Sequence, residues 1–399
     1  MGENKSNSKS FVLIFAALLS AFGPFMTDFY LPSFPELKEY FGSSISLIQL
    51  SLTFGMIGLA GGQLIIGPLS DKYGRRRPLI LSLSVFILST TACLLCDKVE
   101  WFVFFRFIQG VAAAGGVVVS RSIAADLYQG KEFVRFFALL SAVQGLAPII
   151  APVAGGLLLE VTNWKGIFFV LLLIGVGILL ATFRFRESLS VEKRKTGNIF
   201  SAFTHFGKVL KNKRFTYYML IQSFAMAVLF AYISSSPFIF QSHYGIGTVA
   251  YSCIFACNAI SIVMGNLIVA RFNTEKKALL LGSIFLLIMA VMFAGGLFRD
   301  FSVIYVETAL FLLLFGVGMV LPTATSLALG LEKENAGNAS ALLGFLQFLF
   351  AGLVAPLVGV GDMMYSTAFI ILIGSVITIM LVLRIRTNDK RFFNYNMTK

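Results

Sequence analysis

The sequence predicts an all-α membrane protein, with twelve spanning helices in two pseudo-symmetric bundles of six. Three observations carry that reading. Only 13% of the 399 residues are charged while 57% are hydrophobic, and soluble domains carry about 25% charged residues. Apolar stretches of bilayer length, about 20 residues each, recur along the whole chain. The two halves also echo one another at a spacing near 205 residues: Gly110 aligns with Gly316, Ser120 with Ser326, and Ala151-Pro152 with Ala355-Pro356.

The expected spans are 11–32, 46–69, 78–96, 101–126, 134–160, 165–184, 215–241, 249–271, 278–298, 302–330, 338–360 and 365–384. Lys5 and Lys9 precede the first, which runs on into Pro24 and Asp28 with no small-x-small cleavage pattern, so a membrane helix is expected rather than a secretory leader. The fifth span carries Pro148 and Pro152 among small residues, which reads as a bending, closely packed helix. Ser234-Ser235-Ser236-Pro237 should interrupt the seventh inside an aromatic run. The longest loop, 185–214, separates a first bundle (1–184) from a second (215–399). Its Ile199, Phe203, Phe206 and Leu210 share one helical face, ringed by Lys208, Lys211, Lys213 and Arg214, and predict a helix lying on the membrane surface.

The net charge of +13 is organised by topology rather than as a nucleic-acid footprint. Twenty-six of thirty-two Lys and Arg fall on the side holding both termini, and four (Lys38, Lys98, Lys165, Arg299) on the other. The positive-inside rule places both termini in the cytoplasm, with the basic excess facing anionic lipid. A parallel repeat of two six-helix halves is a transporter layout with its site near the midplane.

Ionisable groups at membrane depth cost at least ~2.5–3.5 kcal/mol each and are functional candidates by default. Asp28, Arg106, Arg121 and Glu307 qualify. Ala17, Ala21 and Pro24 share the Asp28 face, so a neighbouring helix is expected to approach there. Burial and a nearby cation act on a carboxyl in opposite directions, and a group held between them can load and release a proton. Arg106 lies at matching depth on the fourth span and is the expected counter-charge, heading a polar stripe with Gln109, Ser120 and Arg121. Glu307 is a second candidate proton carrier. Tyr30, Gln109, Tyr232, Ser236, Phe238 and Asn258 are the expected substrate contacts.

An enzyme is not expected. His205 and His243 stand alone in loops, no G-x-x-x-x-G-K-[ST] loop is present, and Gly245-Ile-Gly247-Thr-Val-Ala250 follows a membrane helix rather than a strand. Cys93-x-x-Cys96 has no second pair and no nearby histidine, so Cys93, Cys96, Cys253 and Cys257 read as packing residues and no metal or cofactor is expected.

The loop Gly67-Pro-Leu-Ser-Asp71-Lys72-Tyr-Gly74-Arg75-Arg76-Arg77-Pro78 resembles the G-x-x-x-D-[RK]-x-G-R-[RK] signature of the major facilitator superfamily. Gly67 would let helices close, and Gly74 would turn the chain. Arg106-Phe-Ile-Gln109-Gly110 resembles that superfamily's R-x-x-Q-G motif, and Ala147 to Gly156 its exporter motif, with Ala147 and Ala151 in place of glycines. Thr27 to Pro32, Tyr232 to Phe238 and Phe255 to Ala259 are similar to the Bcr/CflA drug-efflux subfamily.

The resemblance implies the major facilitator fold, a monomer, and a proton-driven exporter of amphipathic small molecules powered by the proton gradient of a bacterial cytoplasmic membrane. It implies that Asp71 lies near the start of the eleventh span. Arg75 would pair with Asp126 to latch one conformation, Ala151, Pro152 and Gly155 would form a gating element, and Arg106 would tune an acid, for which Asp28 is the choice. A nutrient symporter or facilitator, or an exporter of one metabolite or siderophore, is the alternative on the same fold.

Overall fold

The computed structural model describes residues 7–128, 130–194, 207, 209–332 and 336–397. Regular structure among them is helical: α1 (Lys9–Asp28), α2 (Phe34–Phe41), α3 (Ile45–Tyr73), α4 (Arg76–Leu94), α5 (Val99–Leu127), α6 (Gly130–Leu159), α7 (Trp164–Arg184), α8 (Lys213–Pro237), α9 (Thr248–Val269), α10 (Glu275–Phe298), α11 (Val303–Leu331), α12 (Ala336–Val354) and α13 (Met363–Met397). Eleven stretches among the described residues are long and apolar enough to cross a membrane. The remaining expected span falls on α6, thirty residues long, whose described apolar part is Leu146–Leu159. The expected surface helix lies outside the described residues at Ile199, Phe203, Phe206 and Lys208.

A bilayer offers no water to backbone groups, so each span satisfies them internally. Polar residues supply the starts. Ser8, Ser44, Asn163, Asn212 and Thr274 each accept an N–H from the first turn of α1, α3, α7, α8 and α10. Hydroxyls deep in the helices bond back to preceding carbonyls, as Thr90 does to Phe86 (2.7 Å) and Ser283 to Leu279 (2.7 Å).

The expected break in the seventh span is absent. Ser234, Ser235 and Ser236 return their hydroxyls to the carbonyls of Phe230, Ala231 and Ile233, and α8 continues to Pro237. A π-helical turn, Phe238–His243, follows. The Ile233 carbonyl, which Pro237 has no N–H to meet, accepts the Ser236 hydroxyl instead. The last helix also outruns its apolar stretch, continuing to Met397.

The chain divides into two compact units, Met1–Ser201 with Gly247–Cys253, and Ala202–Ile246 with Ile254–Lys399. Within the first, α5 is central and packs on α1, α3 and α4, while α7 lies on α4 and α6 on α1. Within the second, α11 packs on α8 and α10, while α13 lies on α10 and α12 on α8. The same pairing scheme is therefore built twice. Glycines make its tightest seams. A Cβ on Gly58 or Gly110 would run into the carbonyls of Phe107 or Gly55, and one on Gly265 or Gly318 into those of Phe315 or Ile262.

These contacts correct the repeat register. Gly318, not Gly316, does in α11 what Gly110 does in α5; a Cβ on Gly316 would meet Leu286 of α10 instead. A two-residue slip turns a helix by about 200° and presents the opposite face.

Candidate functional site

Asp28 is the last residue of α1 and is 5% exposed. The neighbouring Thr27 hydroxyl donates to the Pro24 carbonyl at 3.0 Å. Ala17, Ala21 and Pro24 stay half-exposed, so the expected close approach does not occur on their face. It occurs at Gly23, whose added Cβ would lie 2.9 Å from Val117 of α5, and at Phe29, whose carbonyl meets Gly155 of α6. The end of α1 that carries Asp28 is thus seated on two helices at once.

Arg106 is fully buried and does not pair with Asp28. Its Nη2 donates to the Met26 carbonyl at 2.9 Å, and its Nη1 to Gln109, whose amide donates to Thr90 at 2.7 Å. The guanidinium carbon lies 4.2 Å from the Tyr30 ring centre and 5.6 Å from that of Phe168. The matched depth predicted from sequence does bring Arg106 to the end of α1. There the cation takes a late helix carbonyl and an aromatic face instead of the carboxylate, both of them favourable partners. Tyr30 in turn is held by Ser51 (3.0 Å) and by the edges of Phe34 and Phe168.

The second unit gathers three expected residues. Asn258 donates its amide to Glu307 (3.2 Å) and to the Tyr232 hydroxyl (3.3 Å), and Tyr232 stacks on Phe255 at 5.6 Å. A carboxyl, an amide and a phenol from three helices therefore form one polar cluster, buried at Asn258 and Tyr232 and half-buried at Glu307. Of the six expected substrate contacts, Tyr232 is 3% exposed, Phe238 1%, and Tyr30, Gln109, Ser236 and Asn258 0%. In this conformation all six are packed, and none presents its side chain to solvent.

The loop motif builds a third cluster. Gly74 adopts φ +89°, a conformation that costs glycine nothing, and a Cβ there would strike the Glu187 carboxylate. The turn delivers Arg75 to Asp126, with Nε to Oδ2 at 2.9 Å and Nη2 to Oδ1 at 3.1 Å, the bidentate geometry a guanidinium favours. Arg75 Nη1 reaches Asp71 (2.6 Å) and Ser70 (2.8 Å). Burial alone would lower the Arg75 guanidinium, but its bonds to Asp126 and Asp71 outweigh that and hold it above its ordinary value. Gly67 does not provide a close approach: a Cβ there would touch only Val118, at 4.0 Å. The α3–α5 seam is closed by Gly55, Gly58, Gly62 and Gly110 instead. In α6, Ala151 and Pro152 are buried, and Gly155 makes the contact to Phe29.

Sequence reasoning missed Glu187 and Ser188. Glu187 accepts the backbone N–H groups of Arg75 (2.8 Å) and Arg76 (3.1 Å), and Ser188 donates to Asp126 Oδ2 at 2.8 Å. The available signal was one acid directly after Arg184 and Arg186 at a span end. A half-buried pair in the second unit, Gln222 to Gln347 at 2.6 Å, was missed as well.

Comparison with known proteins agrees with this architecture. A profile of the Major Facilitator Superfamily matches residues 13–356. The chain is 37% identical to the uncharacterized MFS-type transporter YdgK of Bacillus subtilis, over 91% of this chain and 92% of that protein. It is 27% identical to a bicyclomycin resistance protein homologue of Haemophilus influenzae, over 94% and 96% of the two chains. The fold is similar to that of the E. coli xylose transporter XylE, solved in a partially occluded inward-open conformation, with a TM-score of 0.71 at 14% identity over 94% of this chain and 96% of that one. Helix pairing, loop motif and relatives converge, and the chain belongs to the major facilitator superfamily, as an integral membrane transporter and not an enzyme.

Proposed function

We propose that this transporter is a proton-coupled exporter of amphipathic small molecules, acting as a monomer by alternating access in the bacterial cytoplasmic membrane. In this reading residues 1–184 and 215–399 are its two bundles, 185–214 is the cytoplasmic linker, and both termini are cytoplasmic. One observation carries the coupling: Asp28 is a carboxyl buried at the end of a spanning helix, while the cation at its depth is committed to Met26, Gln109 and Tyr30. Burying an unpaired carboxylate is costly, and a proton removes the charge.

A proton from outside would bind Asp28, release substrate, and permit return to the inward-open form. At a driving force of roughly 150 mV, one proton supplies about 3.5 kcal/mol, enough for a concentration ratio of about 300-fold. Glu307, held by Asn258, would be a second proton site in the other half, and Tyr30, Gln109, Tyr232, Ser236, Phe238 and Asn258 would meet substrate once the packed clusters open. The Arg75–Asp71–Asp126 cluster would latch the outward-open form from the cytoplasmic side, with Gly74 shaping its loop. Ala151, Pro152 and Gly155 of α6 would form the moving element beside α1. Export of antimicrobial compounds is supported by the name of the bicyclomycin resistance relative. No cofactor beyond the proton gradient enters the cycle.

The test is drug susceptibility in a pump-deficient host expressing wild type or Asp28→Asn at matched membrane levels. Bicyclomycin-like, chloramphenicol-like and cationic dye compounds form the panel. Protection by wild type that disappears in the variant supports the proposal. Equal protection by both keeps export but removes Asp28 from the coupling, and no protection with any compound rejects the drug reading.

A further inference from the structure

The segment that leaves α7 is tied into the Arg75 cluster by two consecutive side chains, Glu187 and Ser188. The Glu187 carboxylate accepts Arg75 N–H at 2.8 Å, Arg76 N–H at 3.1 Å and Leu189 N–H at 3.1 Å. Two of these belong to the start of α4, where unpaired N–H groups and the helix dipole favour an anion. Ser188 donates to the same Asp126 oxygen that Arg75 Nε binds, at 2.8 Å. Arg76 returns the contact by donating to the Phe183 carbonyl (2.7 Å) and the Thr182 carbonyl (3.3 Å) at the end of α7. On either side Phe185 is fully buried and Leu189 is 6% exposed, so the segment is pinned by packing as well. Asn7 brackets Arg186, donating to its carbonyl at 2.9 Å and accepting its N–H at 3.0 Å.

From this geometry we infer that Glu187 and Ser188 are positioning residues of the latch, and that the head of the chain joining the two units closes and opens with it. A bidentate guanidinium–carboxylate pair needs both backbones fixed. Glu187 fixes the Arg75 end through its N–H, and Ser188 fixes the Asp126 end through its carboxylate. The two are adjacent in one strand of chain, so neither end can move without displacing that strand. Gly74 belongs to the same device, since any side chain there would take the space of the Glu187 carboxylate. Displacement of residues 185–189 would therefore release both halves of the ion pair together. This gives the linker a mechanical role that a passive tether lacks.

The inference rests on the latch reading above. Its test needs neither drug nor proton gradient, so the two fail separately. Amide hydrogen exchange is followed by mass spectrometry on the purified full chain in lipid nanodiscs, for wild type, E187A, E187Q, S188A, D126N and the E187A/D126N double variant. In E187A, exchange at residues 74–77 should rise at least about tenfold, the effect of losing one hydrogen bond to a charged group. Residues 123–128, which Glu187 does not touch, should accelerate too. E187Q should give a smaller change in the same direction, S188A should accelerate residues 123–128 by itself, and the double variant should be no faster than the faster single one. Three results overturn the inference: residues 123–128 unchanged in both E187A and S188A, additive effects in the double variant, or equal acceleration in residues 280–295 of the other unit. The last would mark Glu187 as a general stabiliser only. If E187A does not fold, E187Q and S188A carry the same comparison.

Discussion

Gly110→Ala adds one methyl group where α3 and α5 touch backbone to backbone. The new Cβ would run into the Gly55 carbonyl, 2.8 Å from its carbon and 3.0 Å from the Leu59 nitrogen. Ordinary contact between such atoms starts near 3.4 Å, so α3 must retreat by at least about 0.6 Å. A gap of that size forfeits a quarter to a half of each dispersion contact along the seam, which Gly58 and Gly62 extend toward Phe107 and Val111. Overpacking of this kind costs about 1–3 kcal/mol, offset by up to about 1 kcal/mol from the better helix former. A net loss of about 1–2 kcal/mol follows.

The matched control is Gly177→Ala in α7, where a Cβ would meet nothing within 4 Å. Thermal unfolding of both variants in one detergent at one scan rate, read by tryptophan fluorescence, should lower Tm by a few degrees for Gly110→Ala. The control should hold Tm or raise it. Arg106 lies one turn away on α5, and a Cβ on Gly55 would sit 3.4 Å from its Nη2, so the seam runs against the guanidinium and export should fall with stability in the first variant only. Equal Tm values for the two alanine variants would refute backbone contact between α3 and α5 and the account of the repeat built on it.

Removing Arg75 leaves a largely buried Asp126 carboxylate (9% exposed side chain) without its cation; Arg75→Ala should cost about 3 kcal/mol. Arg75→Lys should lose less stability but still slow export, because a point charge cannot span both Asp126 oxygens and Asp71; turnover of a dye substrate at matched expression checks this. Asn258→Leu strips Glu307 and Tyr232 of their shared donor and should cost about 1–3 kcal/mol, measured as a Tm shift that Tyr232→Phe only partly reproduces. Gly155→Val drives a side chain into the Phe29 carbonyl beside Asp28, so drug protection should fall as it does in Asp28→Asn even where the variant reaches the membrane at wild-type level.

Much of the helix layout was legible because the bilayer leaves a chain few choices. The loop motif was legible in part: Gly74 takes the positive φ and Arg75 meets Asp126 as the family resemblance implied, while Gly67 makes no close approach. Sequence depth brought Arg106 to the end of α1, yet Asp28 was not its partner. A helical wheel fixes height and azimuth within a helix but not where a long side chain ends, and a guanidinium at that spot could choose among a carboxylate, a carbonyl and two aromatic faces. The same limit applies to α8. Its three serines read as a break because they are polar at membrane depth, but in place their hydroxyls turn back to the helix and leave it whole.

Hydropathy and charge along the chain were enough to establish that it spans a membrane as two similar helical halves and that a charged loop with a glycine turn follows the second span. Hydropathy, charge bias and a contiguous motif are local properties, and a bilayer converts them directly into structure. Which residues close the helix seams, which glycine of the second half answers Gly110, and what Arg106, Glu307 and Glu187 hold were settled by packing in three dimensions. Those outcomes depend on contacts between segments distant in sequence, where a two-residue slip or one rotamer exchanges a partner on one helix for a partner on another.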